Sequence, residues 1–81
     1  MEVFFYKIPF CPRCIMAERY LKRTMKERKN LTMQVRPLPT YLKEAREFGI
    51  AMAPALRVGE HAISGIWLTE KDIQEFLDSV E

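Results

Sequence analysis

Apolar and polar positions along the chain fall into blocks of different period. Val3 to Ile8 is a nearly unbroken apolar and aromatic run closed by Pro9, which predicts a strand buried on both faces and therefore central in its sheet. From Pro12, a residue suited to the first helical position, the period becomes 3.6. Cys14, Ala17, Leu21 and Met25 share one side, and Glu18, Lys22 and Lys26 the other, predicting an amphipathic helix that ends near Asn30. Leu31, Met33 and Val35 then alternate with Thr32, Gln34 and Arg36 before Pro37 and Pro39, the pattern of a strand with one buried face. Strand, helix and strand in such close succession predict a right-handed βαβ unit with parallel strands.

The second half continues in shorter blocks. Thr40 is placed to cap a second helix, with Tyr41, Leu42, Ala45 and Phe48 on its apolar side and Gly49 at its exit. Two short runs, Ala55-Leu56-Arg57-Val58 and His61-Ala62-Ile63, flank Gly59-Glu60, a hairpin signal. Thr69 and Asp72 have the spacing of a capping box, and Ile73, Phe76, Leu77 and Val80 form the stripe of a last helix. Trp67 is expected to pack under that helix, and His61 to be a surface histidine. The predicted order is βαβ-α-ββ-α, without repeats or low-complexity segments.

Eighty-one residues with 48% apolar and 30% charged content predict one soluble domain over residues 1–81 that needs no structural metal. The longest apolar run, Ile50 to Leu56, contains Pro54 and is far shorter than the roughly 18–20 residues of a membrane span. The N-terminal apolar run stops at Lys7, short of the roughly 7–15 residues at the centre of a secretion signal. The expectation is a cytoplasmic protein that is not membrane-bound. A net charge of +2 does not point to nucleic acid. The charge is unevenly spread, however. Residues 13–29 carry seven basic side chains against Glu18 and Glu27, and residues 60–81 carry six acids against Lys71. The basic block is read as a solvated helix face, with a docking face for an acidic partner as the alternative.

Both cysteines belong to one motif, Cys11-Pro12-Arg13-Cys14, where the central strand meets the N-terminus of a helix. Beside a βαβ pattern this spacing reads as a redox motif. Zinc normally takes four ligands, and two cysteines with His61 fall short unless two chains share the metal, so no metal site is assigned. A structural disulfide over so short a loop removes little unfolded-state entropy, compared with roughly 3 kcal/mol for a 15-residue loop. The helix N-terminus directs about half a positive charge at Cys11, and Arg13 and Lys7 add full charges nearby. Lowering a thiol pKa from ~8.5 to ~7 raises its thiolate fraction at neutral pH from about 3% to about 50%. Cys11 is therefore the expected nucleophile. Cys14, on the buried stripe one turn later, is the expected resolving thiol.

A first strand running into Cys11-Pro12-Arg13-Cys14, the Gly49-Ile50 helix exit, Ala53-Pro54-Ala55-Leu56 leading into the Gly59 hairpin, and a last amphipathic helix together resemble the thioredoxin/glutaredoxin superfamily. The short length and the Cys-Pro-x-Cys motif are more similar to glutaredoxins, and the stretch from Phe48 to Leu56 is as close to thioredoxins. The resemblance implies an α/β thioredoxin fold, with a four-stranded mixed sheet in the order 2-1-3-4 flanked by three helices. It also implies a cis peptide bond before Pro54 facing the dithiol, with the Ala53 backbone pairing with a bound substrate strand and Pro12 beside it. A proline that merely starts a strand is the plainer alternative for Pro54.

The sequence departs from the family pattern at several positions. Arg13 stands where glutaredoxins usually carry an aromatic residue, and Phe10 where thioredoxins carry tryptophan. Ala53 replaces a β-branched residue, and the glycine pair of glutaredoxins is reduced to Ser64-Gly65. The missing glycine counts against glutathione as electron donor and favours a protein reductase, although Lys7 lies near the place of a glutathione-contacting lysine. The expected activity is reduction of protein disulfides by a monomer with no bound cofactor, cycling through a Cys11–Cys14 disulfide. Two rivals remain: a non-catalytic interaction module docking through its basic helix, and a zinc-linked dimer through the cysteines.

Overall fold

The N-terminal apolar run forms strand β1 (Glu2–Lys7). The chain continues through α1 (Pro12–Lys26), β2 (Thr32–Pro37), α2 (Leu38–Glu47), β3 (Ala55–Val58), β4 (His61–Ser64) and α3 (Glu70–Val80). The computed structural model describes residues 1–28 and 30–80; Lys29 of the basic block and Glu81 of the acidic block lie outside them. The strands form one mixed sheet in the order β2-β1-β3-β4 with three helices around it, the predicted topology. β1 runs parallel to β2, with Phe5 opposite Val35, and antiparallel to β3, with Phe5 opposite Leu56. The β3–β4 hairpin turns at Gly59, whose φ of +60° is disfavoured for residues with a Cβ.

Alternation along β1 divides the interior in two. Val3 and Phe5 join Leu56 and Val58 against Ala17 and Leu21 of α1 and Ile73, Phe76 and Leu77 of α3. Tyr6, with Phe4 at its margin, belongs to a second cluster that contains Leu38 and Ala45 of α2, Ala53, Ala55 and both cysteines. The predicted Thr69–Asp72 capping box starts α3. The Thr69 N–H donates to Asp72 Oδ2, and the Asp72 N–H donates to Thr69 Oγ1, each at 3.1 Å. No helix among the described residues is long and apolar enough to cross a membrane.

Several expectations need correction. Ile8 lies beyond β1 and is exposed, because the strand ends at Lys7 and the chain enters a turn at Pro9 and Phe10. α1 stops at Lys26 rather than near Asn30, which has a left-handed φ of 69° incompatible with a continued helix. α2 starts at Leu38, directly after β2. Thr40 lies inside it and does not cap it, and Tyr41 breaks the helical geometry at φ −108°, ψ 25°. The predicted buried face of β2 is only half covered: Leu31 and Met33 pack partly against the core, while Val35 is exposed on this edge strand. Trp67 does not pack under α3. It is 53% exposed, and Leu68 takes the buried place.

The basic block finds much of its compensation within the fold, since α1 packs against α3. Arg23 pairs with Glu70 at 3.0 Å and Arg28 pairs with Asp78, while Lys22 pairs with Glu18. Such exposed pairs contribute about 0–1 kcal/mol each, so they set the fate of the charges more than the stability.

Candidate functional site

Pro12 at the first position of α1 places Cys11 at its N-cap in an extended conformation, φ −108° and ψ 108°. The Cys11 Sγ there accepts a hydrogen bond from the Cys14 backbone N–H at 3.3 Å, one of the donors a helix start leaves unpaired. Both thiols are free. Cys11 is 8% exposed and Cys14, one turn into α1 on its inward stripe, 1%.

The surroundings drive the two thiols apart. Desolvation is the largest single influence on Cys11 and pushes it up, but hydrogen bonds from the Cys14 thiol and backbone N–H, with the Arg13 guanidinium, together outweigh it and bring the pKa below the ordinary value. For Cys14, burial dominates and the hydrogen bond to Cys11 adds to it, so its pKa is pushed up to about 11. The arrangement favours the thiolate form of Cys11 beside a Cys14 that keeps its proton.

Lys7 is placed differently from its sequence reading. Its ammonium is bonded to Glu18 Oε1 at 3.2 Å, and the groups acting on Cys11 are Cys14 and Arg13. Glu18 also binds Lys22. Although its partial burial favours the neutral acid, these two lysines hold its carboxyl below the ordinary range. Ala53 lies in the same cluster as Cys11 and Cys14, and the peptide bond between Ala53 and Pro54 is cis. Both residues are buried. The Pro54 carbonyl accepts from the Gly65 N–H at 3.3 Å, which ties the proline loop to the segment after β4. His61 is exposed, and among the described residues no three His, Cys, Asp or Glu side chains come together as a metal site.

Two features of this end of the molecule escape a pattern reading. Phe10, directly before Cys11, has φ +60° with its ring fully in solvent. A bulky residue in that region is strained, and such strain persists at functional positions. Behind the site, Arg57 in the middle of β3 is buried. Its guanidinium stacks between the rings of Phe4 at 4.2 Å and Phe48 at 4.0 Å, and donates to Tyr6 Oη, the Gly59 carbonyl and Glu44 Oε1. Arg36 extends the stack, lying over Phe4 and Tyr41. In the sequence Arg57 appears only as an interruption of an apolar run; a cation midway along a central strand is the signal that could have marked it.

The geometry has parallels among known proteins. The family model described as Thioredoxin domain matches residues 2–78. A thioredoxin-like protein from Clostridium perfringens shares the fold with a TM-score of 0.72 at 18% identity, over 96% of this chain and 68% of that one. DsbF of MTB superposes with a TM-score of 0.69 at 12% identity, over 99% and 80% of the two chains. Chloroplastic thioredoxin z does so with 0.69 at 15% identity, over 98% and 76%. No curated protein sequence matches the chain. With the family pattern running from β1 into α3 and the fold shared at this level, the chain belongs to the thioredoxin domain family.

Proposed function

We propose that the chain is a small thiol–disulfide oxidoreductase that reduces protein disulfides through Cys11 and Cys14. The observation that carries this reading is the position of Cys11 Sγ at the N-cap of α1, 3.3 Å from the Cys14 N–H, with Cys14 buried behind it. The Cys11 thiolate attacks one sulfur of the partner's disulfide, and the partner's other sulfur leaves as thiolate and takes up a proton. Cys14 then loses its proton and attacks Cys11 Sγ. This releases the partner's second thiol and leaves a Cys11–Cys14 disulfide. A two-electron donor restores the dithiol.

Arg13 holds the thiolate, Pro12 fixes the helix start, and the Ala53 and Pro54 backbone receives the substrate chain beside the dithiol. For the donor, a protein reductase fits better than glutathione. The segment before α3 is Ser64-Gly65 followed by the bulky Ile66 and Trp67, where close approach of a small anionic ligand to backbone favours residues without a Cβ. The α3 N-terminus adds the carboxylates Glu70 and Asp72.

The reduction potential of the Cys11/Cys14 pair and the turnover of insulin disulfides test the reading together. Turnover is expected to vanish in Cys11→Ser, and Cys14→Ser is expected to trap a mixed disulfide through Cys11. A wild-type protein with no turnover under any donor would overturn it in favour of a binding module.

A further inference from the structure

The dithiol chemistry leaves unused an open groove of about 440 Å³ between β4 and α3, with Ile63, Gly65, Trp67, Asp72, Glu75 and Phe76 on its walls. Its strand side is an edge of the sheet. β4 pairs with β3 and no other strand flanks it among the described residues, so its outer row of backbone N–H and C=O groups is open to another strand. Beside that edge stand two large apolar side chains, Ile66 and Trp67, 60% and 53% exposed. Tryptophan at a rim offers an apolar face together with the ring charge distribution that attracts cations.

Charge selects the occupant. Of the carboxylates in the acidic C-terminal stretch, Glu70 and Asp78 are paired with Arg23 and Arg28 of the basic block. Asp72 and Glu75 face the groove. Among the described residues Glu75 has one cation near it, Lys71 at 4.0 Å with both side chains well exposed, and hydrogen bonds from Thr69 hold the Asp72 carboxyl below its ordinary range. Glu60 sits at the hairpin end of β4. A strand laid along β4 directs every second side chain to the groove face. Apolar side chains there meet Ile63 and Phe76, and a cationic one meets the Trp67 ring and two carboxylates. A second copy of this chain is a poor match. Of its strand cations, Arg36 and Arg57 are held in ring stacks and Lys7 is paired with Glu18, and its remaining basic residues are carried mainly on helices.

We propose that β4 and this groove dock an extended segment of a partner protein that carries lysine or arginine, adding it as a fifth strand. The docking needs no electron transfer, so it stands apart from the redox reading.

The test uses the reduced protein and a capped hexapeptide with Val, Lys and Val at its alternate positions and threonine between them, compared with the same peptide carrying Glu in place of Lys. The reporters are emission from Trp67, the one tryptophan of the chain, and the amide NMR shifts. Saturable binding is expected, with shifts centred on His61–Ser64, Gly65 and α3, and it should weaken as salt screens the carboxylates. Glu75→Lys, a change at an exposed position, is expected to weaken binding about tenfold with folding intact, because it places like charges together. Trp67→Leu, followed by NMR, should weaken it as well. Absence of saturation, shifts centred on the Cys11 loop, equal binding of the Glu peptide, or unchanged affinity in Glu75→Lys would each overturn the proposal. So would a concentration-dependent dimer that protects the β4 amides without peptide, which would assign the face to a second copy.

Discussion

The Cys14 backbone N–H points at Cys11 Sγ from 3.3 Å, so the residue that hydrogen-bonds the proposed nucleophile is also the one proposed to attack it and release the substrate. Their pKa values move in opposite directions, Cys11 down and Cys14 up to about 11. Iodoacetamide at pH 7 is therefore expected to label Cys11 at least tenfold faster than Cys14, read by peptide mass mapping, since the thiolate is the reacting form. Equal rates would remove the basis for assigning them different roles.

Arg13 lies on the exposed side of the first turn and lowers the Cys11 pKa by hydrogen bond and charge. Arg13→Glu reverses that charge. At an effective dielectric near 20, the expected rise in the Cys11 pKa is on the order of one unit, read from thiolate absorbance at 240 nm. Stability should change by less than about 0.5 kcal/mol, as for other surface substitutions. An unchanged pKa would assign the activation to the helix end and Cys14 alone.

The same shifts have a consequence for alkaline stability. Cys14 is raised from 9.0 to about 11, so between those values the unfolded chain loses its proton while the folded protein keeps it. Stability from this group is intact below pH 9 and falls as pH rises toward 11, by roughly 2–3 kcal/mol at 1.36 kcal/mol per unit. Tyr6, raised mainly by burial, adds to the loss above pH 10. Cys11 acts in the opposite sense: its depressed pKa makes stability rise with pH up to about 9 and level off above it. Denaturant melts from pH 7 to 11 are expected to show the fall, and Cys14→Ala to remove its larger part.

Arg57 shows where tertiary partners decide a residue's role. It spans Tyr6, Glu44, Phe4 and Phe48, which lie on β1, on α2 and just past its end. Arg57→Ala leaves the Glu44 carboxylate and the buried Tyr6 hydroxyl without this partner, and the expected loss is about 3–5 kcal/mol in chemical denaturation. Arg57→Met with Glu44→Gln, which removes both charges and keeps much of the volume, should recover more than half of it. If the double variant were no more stable than Arg57→Ala, the guanidinium stacking would be the dominant contribution instead.

How far the sequence carries can be seen in β1, α1 and α3. Their apolar patterns are long and their boundaries are marked, the end of β1 by Pro9 and the starts of α1 and α3 by Pro12 and the Thr69–Asp72 box, so element type and the position of the dithiol follow, while the sheet order comes with the family resemblance. α2 was harder, because β2 passes into it without a loop and Pro37 and Pro39 serve as helix starters rather than as a break before Thr40. Trp67 and Leu68 lie in a segment with no period, so nothing local tells which of them turns inward. From its place in the chain alone, the Lys7 ammonium is as available to Cys11 as to any acid. Glu18, eleven residues on, reaches it because strand and helix lie side by side.

Phe10 combines strain with exposure in a way two substitutions can separate. Its φ of +60° costs an L-residue roughly 1–2 kcal/mol, and its fully exposed ring has no packing to offset this. Glycine removes that strain but gives back roughly 0.5–1 kcal/mol through a freer unfolded chain. Phe10→Gly should therefore gain up to about 1 kcal/mol, a rise in Tm of several degrees for a domain of this size. Phe10→Ala keeps the strained φ and should leave stability nearly unchanged. If the ring serves as an apolar contact for the segment flanking a substrate disulfide, both variants lose kcat/KM for insulin by a similar several-fold factor, and the rate with a small aromatic disulfide changes less. Undiminished insulin turnover in both would show that the strain at Phe10 serves the placement of Cys11 and not the recognition of substrate.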